Sequence, residues 1–160
     1  IADEPTTALD VTVQAQIVEL TQRLQKELNI SVIWITHDLG VVAGMADRVA
    51  VMYAGQLVEE ATRDRFFGEA RHPYSRKLFD SLPDVSKRDV ALQTIPGTVP
   101  DLADLPAGCT FSGRCPLVID DCLAEPPALR VVAPNHLAAC IRIEEAQRLL
   151  ELGDAIASIS

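Results

Sequence analysis

Ile1-Ala2-Asp3-Glu4-Pro5-Thr6-Thr7-Ala8-Leu9-Asp10 opens the chain and decides its reading. Ile1 and Ala2 read as the end of a strand, Pro5 stops it, and Ala8-Leu9-Asp10 leads into a helix. Two adjacent carboxylates at a strand end suit a divalent cation and an activated water. One acid holds the metal while its neighbour orients or deprotonates the nucleophile.

Working outward, Asp10 is a predicted N-cap, and Val13, Ile17, Leu20, Leu24 and Leu28 place one apolar stripe along a helix that stops at Asn29. Ile30-Ser31-Val32-Ile33-Trp34-Ile35 is a β-branched run that predicts a strand covered on both faces. Strand, helix, strand with short joints predicts a βαβ unit and hence parallel strands. Both strands then end at one sheet edge, where open α/β sheets bind ligands. His37, in Thr36-His37-Asp38, is thereby expected beside Asp3 and Glu4.

Asp3-Glu4-Pro5-Thr6-Thr7-Ala8-Leu9-Asp10 resembles the Walker B and D-loop segment of ATP-binding cassette (ABC) ATPases. The resemblance implies that Asp3 helps hold Mg²⁺ through water and that Glu4 polarises the hydrolytic water. It implies that His37 is the switch histidine at the γ-phosphate of ATP, and that Asp10 faces a second ABC ATPase subunit. Neither a G-x-x-x-x-G-K-[ST] phosphate loop nor an L-S-G-G signature occurs in the 160 residues. The chain, starting at Ile1 without methionine, therefore reads as a C-terminal fragment expected not to hydrolyse ATP alone.

Further on, Leu39, Val42, Ala43 and Ala46 predict a short helix, and Arg48–Tyr53, Ala54-Gly55 and Gln56–Glu60 a β-hairpin. Thr62–Phe67 are expected to be helical, followed by Arg71-His72-Pro73-Tyr74 and an amphipathic turn ending at Leu82-Pro83. Restraint by Pro73 and the packing habit of tyrosine give His72 and Tyr74 a structural reading rather than a catalytic one. The hairpin run resembles ABC importers. The His-Pro-Tyr segment resembles the ATP-binding subunits of oligopeptide, dipeptide or nickel importers. DNA-repair ATPases share the acid pair, but they are not expected to continue with this hairpin.

From Asp84 to Ala107, Pro96, Gly97, Pro100 and Pro106 break periodicity and predict a connection to an appended module. That module holds the four cysteines, spaced Cys109-x₅-Cys115-x₆-Cys122-x₁₇-Cys140 without C-x₂-C pairs. Disulfides are rare in cytosolic nucleotide enzymes, so a metal site is the better reading, and four thiolates suit zinc or an iron–sulfur cluster. Gly108-Cys109-Thr110-Phe111-Ser112-Gly113-Arg114-Cys115-Pro116, with Cys122, Pro126-Pro127 and Cys140, resembles the C-terminal extension of peptide-importer ATPases. The resemblance implies a [4Fe–4S] cluster, with Zn²⁺ as the alternative. Nothing nearby resembles an electron partner or substrate pocket, so a staple for a module with a thin core is the expected role. His136, close to Cys140 in sequence, could replace a ligand, but the four cysteines suffice without it. Ile143, Ala146, Leu149 and Leu150 predict a final helix, and Gly153–Ser160 a loose tail.

The expected architecture is therefore α/β. Residues 1–83 form the C-terminal part of a P-loop (RecA-like) ABC nucleotide-binding domain, 84–108 a linker, and 109–160 a small irregular Cys₄ metal-binding extension. The implied function is to hydrolyse ATP on the cytoplasmic face of the membrane. Implied partners are membrane permease subunits, a second ATPase subunit and, indirectly, a peptide-binding protein. The alternative is a metal-binding interaction module on a vestigial nucleotide-binding half. A net charge of −9 without a basic face argues against nucleic acid, and no apolar run is long enough to span a bilayer. A sheet lacking its neighbouring strands exposes apolar surface and unpaired backbone, so self-association is expected.

Overall fold

The computed structural model describes residues 1–81 and 94–148. The expected turn end at Leu82-Pro83, the first ten residues of the connection (84–93), Leu149, Leu150 and the tail lie outside the described residues. The chain divides into two compact bodies, Ile1–Asp47 and Arg48–Ser160.

In the first body, β1 (Ala2–Asp3) runs parallel to β2 (Trp34–Ile35), with Ala2 opposite Trp34 and Asp3 opposite Ile35. Between them, α1 (Val11–Leu28) starts where the Asp10 carboxylate accepts from Val13 N at 2.9 Å and ends at Asn29 in the left-handed region. The parallel βαβ unit is as the sequence predicts. The strand predicted over Ile30–Ile35 is shorter, because a ladder extends only as far as its partner and β1 offers two paired residues. After β2, α2 (Leu39–Met45) is capped by Asp38, whose Oδ1 accepts from Gly40 N at 2.8 Å and Val41 N at 3.3 Å. Gln14 Nε2 donates to Asp38 Oδ2 at 2.9 Å, and Gln22 Nε2 to the Gly44 carbonyl at 3.1 Å, tying α1 to α2. Only Thr6 and Val41 of this body are buried, and no residue of α1 is. The apolar stripe exists but is uncovered: Leu20, Leu24 and Leu28 are exposed.

In the second body, β3 (Arg48–Tyr53) and β4 (Gln56–Thr62) form the predicted antiparallel hairpin. Ala54 and Gly55 both have positive φ (46° and 77°), which gives the two-residue turn the twist a hairpin needs. A bulge follows: Met52 faces Leu57, but Val51 faces Glu59, so Val58 is the extra residue. The insertion turns Glu59 onto the inward face with Val49 and Val51. Next come α3 (Arg63–Glu69), with Phe66 fully buried, and α4 (Pro73–Asp80), with proline at its first position.

Beyond the connection lie a 3₁₀ turn (Ser112–Arg114), α5 (Asp121–Ala124), β5 (Arg130–Ala133), β6 (His136–Ala138) and a helical segment over 143–148. The final helix was expected; the β5–β6 hairpin was not. β6 pairs with β4 in a four-stranded sheet of order β3-β4-β6-β5, so strands from both sides of the connection share one sheet. Phe111 completes an aromatic cluster with Tyr53 and Tyr74, at centroid distances of 5.2 and 5.4 Å. Arg114 bonds the Ile95 and Pro96 carbonyls at 2.8 and 2.9 Å and Tyr53 Oη at 3.3 Å, clamping the end of the connection to this cluster.

Candidate functional site

The first candidate site forms at the edge where β1 and β2 end together. Glu4 N donates to the Ile35 carbonyl at 2.9 Å, so Glu4 leaves the ladder in register with the start of the Thr36-His37-Asp38 segment. His37 Nδ1 lies 3.1 Å from Glu4 Oε1, and Thr7 Oγ1 donates to Glu4 Oε2 at 2.6 Å. The Thr7 hydroxyl, and after it His37, hold the Glu4 carboxyl below the usual carboxylate range. An ionised carboxylate only accepts, so Nδ1 of His37 carries the proton in this contact. Both side chains are solvent-accessible, His37 at 77% and Glu4 at 44%.

Asp38 behind them is likewise held low, first by Gln14 and then by the helix amides it caps. Asp3 ends β1, exposed, and among the described residues its carboxylate has no hydrogen-bonding partner. A free hard-oxygen donor fits Mg²⁺. Asp10 is engaged elsewhere, in capping α1. The structure thus brings Glu4 and His37 into contact, sets Asp3 next to them on the strand, and keeps Asp10 at the start of the helix.

The four cysteines form the second candidate site. All four are free thiols, and Cys122 and Cys140 are buried. Cys109 N donates to the Cys122 carbonyl at 2.8 Å, and Cys115 closes the 3₁₀ turn, with its N–H on the Ser112 carbonyl. The sulfurs accept backbone amides: Cys109 from Phe111 and Ser112, Cys115 from Leu117, and Cys140 from Arg142 N at 3.2 Å. Burial pushes the Cys140 thiol up to about 11, and the proximity of Cys115, Cys109 and Cys122 adds to it. The four sulfurs therefore share one neighbourhood. Among the described residues, no three His, Cys, Asp or Glu side chains converge tightly enough to hold a single ion. His136 lies with its Nε2 2.6 Å from Glu59 Oε1.

One site-like cluster escaped the sequence reading. Glu59, fully buried, accepts from Arg71 N at 2.5 Å and His72 N at 3.1 Å besides facing His136. His72 Nδ1 in turn accepts from Tyr74 N at 3.1 Å and caps α4. This is an enclosed structural network, in agreement with the structural reading of His72 and Tyr74. The only signal in the sequence was a second acid, Glu59, in a strand whose other inward residues are apolar.

Residues 58–122 match the family described as oligopeptide/dipeptide transporter, C-terminal region. Beyond that segment, the chain is 49% identical to the oligopeptide transport ATP-binding protein OppD of Salmonella typhimurium, over 91% of its own length and 43% of that protein's. It is 47% identical to the dipeptide transport ATP-binding protein DppD of Bacillus subtilis (97% and 47% of the two lengths). Against the oligopeptide transport ATP-binding protein AppD of the same organism, identity is 48% (91% and 44%). The chain is thus similar to peptide-importer ATP-binding proteins and spans less than half the length of these relatives.

Proposed function

We propose that this chain is the C-terminal portion of an ATP-hydrolysing subunit that powers peptide uptake by an ABC importer. In the whole subunit Glu4 orients the attacking water, His37 meets the γ-phosphate, and Asp3 helps hold Mg²⁺. Asp10 faces a second ATPase subunit. When bound, Mg²⁺ neutralises phosphate charge. The observation that carries this reading is the 3.1 Å contact between Glu4 and His37 at the common end of two parallel strands. The relatives, a dipeptide and an oligopeptide transport protein, supply the substrate class. The subunit works at the cytoplasmic face with membrane permease subunits, which receive peptide from a binding protein. Among the described residues no helix is long and apolar enough to cross a membrane.

We also propose that Cys109, Cys115, Cys122 and Cys140 hold a [4Fe–4S] cluster, with Zn²⁺ as the alternative. Supporting this are four free thiols in one neighbourhood and amide N–H groups on three of the sulfurs. Amide bonds stabilise the thiolates through which these four cysteines would hold such a group. Its role is that of a structural staple in the extension over 109–160, which residues 84–108 join to the ATPase portion 1–83.

The test is Glu4→Gln in the full-length subunit assembled with its permease. ATP binding should persist while hydrolysis falls about a hundredfold or more. Retained hydrolysis would overturn the assignment.

A further inference from the structure

We propose that Thr7 is a positioning residue for Glu4, fixing one carboxylate oxygen so that the other is presented to His37 and the water. The inference rests on the assignment of Glu4 above and adds the group that aims it. Glu4-Pro5-Thr6-Thr7 is a β-turn closed by Thr7 N on the Glu4 carbonyl at 3.1 Å, with proline where such a turn favours it. Leu9 N donates to the Thr6 carbonyl at 3.2 Å, so the backbone around Thr7 is held on both sides. From that support Thr7 Oγ1 reaches Glu4 Oε2 at 2.6 Å, while His37 takes Oε1.

Each oxygen thus has one partner, and the two partners differ in kind. His37 follows a different strand and is largely exposed, whereas Thr7 is built into the turn that Glu4 itself begins. An exposed glutamate otherwise samples many rotamers. Glu4 also sits at φ 42°, a left-handed conformation uncommon for a residue with a side chain. A turn that holds such a backbone and at the same time bonds its side chain leaves the carboxylate little freedom.

A purely structural Thr7 would need its backbone N–H, which valine retains. A positioning Thr7 needs its hydroxyl, which serine retains. In the 160-residue chain, carbon–proton couplings along the Glu4 side chain should show one rotamer for the wild type and for Thr7→Ser, and averaging for Thr7→Val. In the full-length subunit with its permease, Thr7→Val should lower kcat about tenfold, with KM for ATP changed by no more than about twofold, and Thr7→Ser should restore most of it. Should valine disturb the turn, seen as shifted Thr7 and Leu9 amides, Thr7→Ala against Thr7→Ser makes the same comparison. A single Glu4 rotamer in the hydroxyl-free variants, or wild-type kcat in them where Glu4→Gln abolishes hydrolysis, overturns the role of Thr7. Hydrolysis that survives Glu4→Gln instead removes the assignment on which it rests.

Discussion

Gly108 shows how much one residue decides. A Cβ there would lie 2.3 Å from the Cys122 carbonyl oxygen and 2.6 Å from the Leu123 carbonyl carbon, both backbone atoms that cannot swing aside. The absent side chain lets Cys109 and Cys122 share a backbone hydrogen bond of 2.8 Å. Gly108→Ala should therefore cost about 2 kcal/mol or more in denaturant titration, as overpacking does. Under the cluster reading, anaerobically purified wild type carries iron and acid-labile sulfide with a visible absorption band, and Gly108→Ala retains less of both. Colourless protein with stoichiometric zinc would overturn the cluster. The glycine was legible as part of the cysteine pattern. Its close approach was not, because the atoms it makes room for come from Cys122 and Leu123, a separate stretch of chain.

Among the elements, β4 and α4 are joined by charge in a place built for apolar residues. Burial would raise the Glu59 carboxyl, but His136, Ser75 and the amides of Arg71 and His72 together hold it below its ordinary range. Burial pushes His72 from 6.5 down to about 4, against the pull of the Glu59 charge and the Ala139 carbonyl. His72 must stay neutral, since its Nδ1 lone pair accepts the Tyr74 amide that begins α4. Both groups act in one direction. As pH falls below 6.5 the unfolded chain takes up the His72 proton before the fold does, and below about 4.5 Glu59 adds the same effect. Stability is full above pH 6.5 and declines towards pH 4 with a slope of up to about 1.4 kcal/mol per pH unit from His72. Urea midpoints at pH 7 and pH 5 measure it. His72→Asn keeps a capping acceptor and should flatten the slope, even if it lowers the midpoint at pH 7. An unchanged slope would count against the role given to His72.

The hairpin, α1 and its caps were legible because their signals are local: a Gly at the turn, apolar steps of three and four, Asp10 and Asn29 at the ends. The inward turn of Glu59 was not, since it depends on the bulge at Val58 and on a histidine 77 residues away. β5 and β6 were missed for a related reason. Each is short, and β6 is a strand chiefly because β4 offers it an edge. At the candidate active edge, periodicity and parallel pairing led to Glu4 beside His37, while the Thr7 bond depended on turn geometry that a motif does not express.

At the scale of the whole molecule, the body Ile1–Asp47 buries only Thr6 and Val41 while Leu20, Leu24, Leu28, Ile30, Ile33 and Ile35 are exposed. So much accessible aliphatic surface favours association, and β1 and β2 offer short free edges as well. Sedimentation velocity at micromolar concentration should show dimers or larger species of the 160-residue chain, weakening when Leu24 and Leu28 are replaced by lysine. A strictly monomeric profile would speak against it.

The sheet order β3-β4-β6-β5 has a consequence for how the second body comes apart. Since β4 precedes the connection and β6 follows it, the peptide link between them is not what keeps them together. A protease that nicked the connection would produce two polypeptides and still one particle, sewn by the β4–β6 ladder and the Glu59–His136 contact.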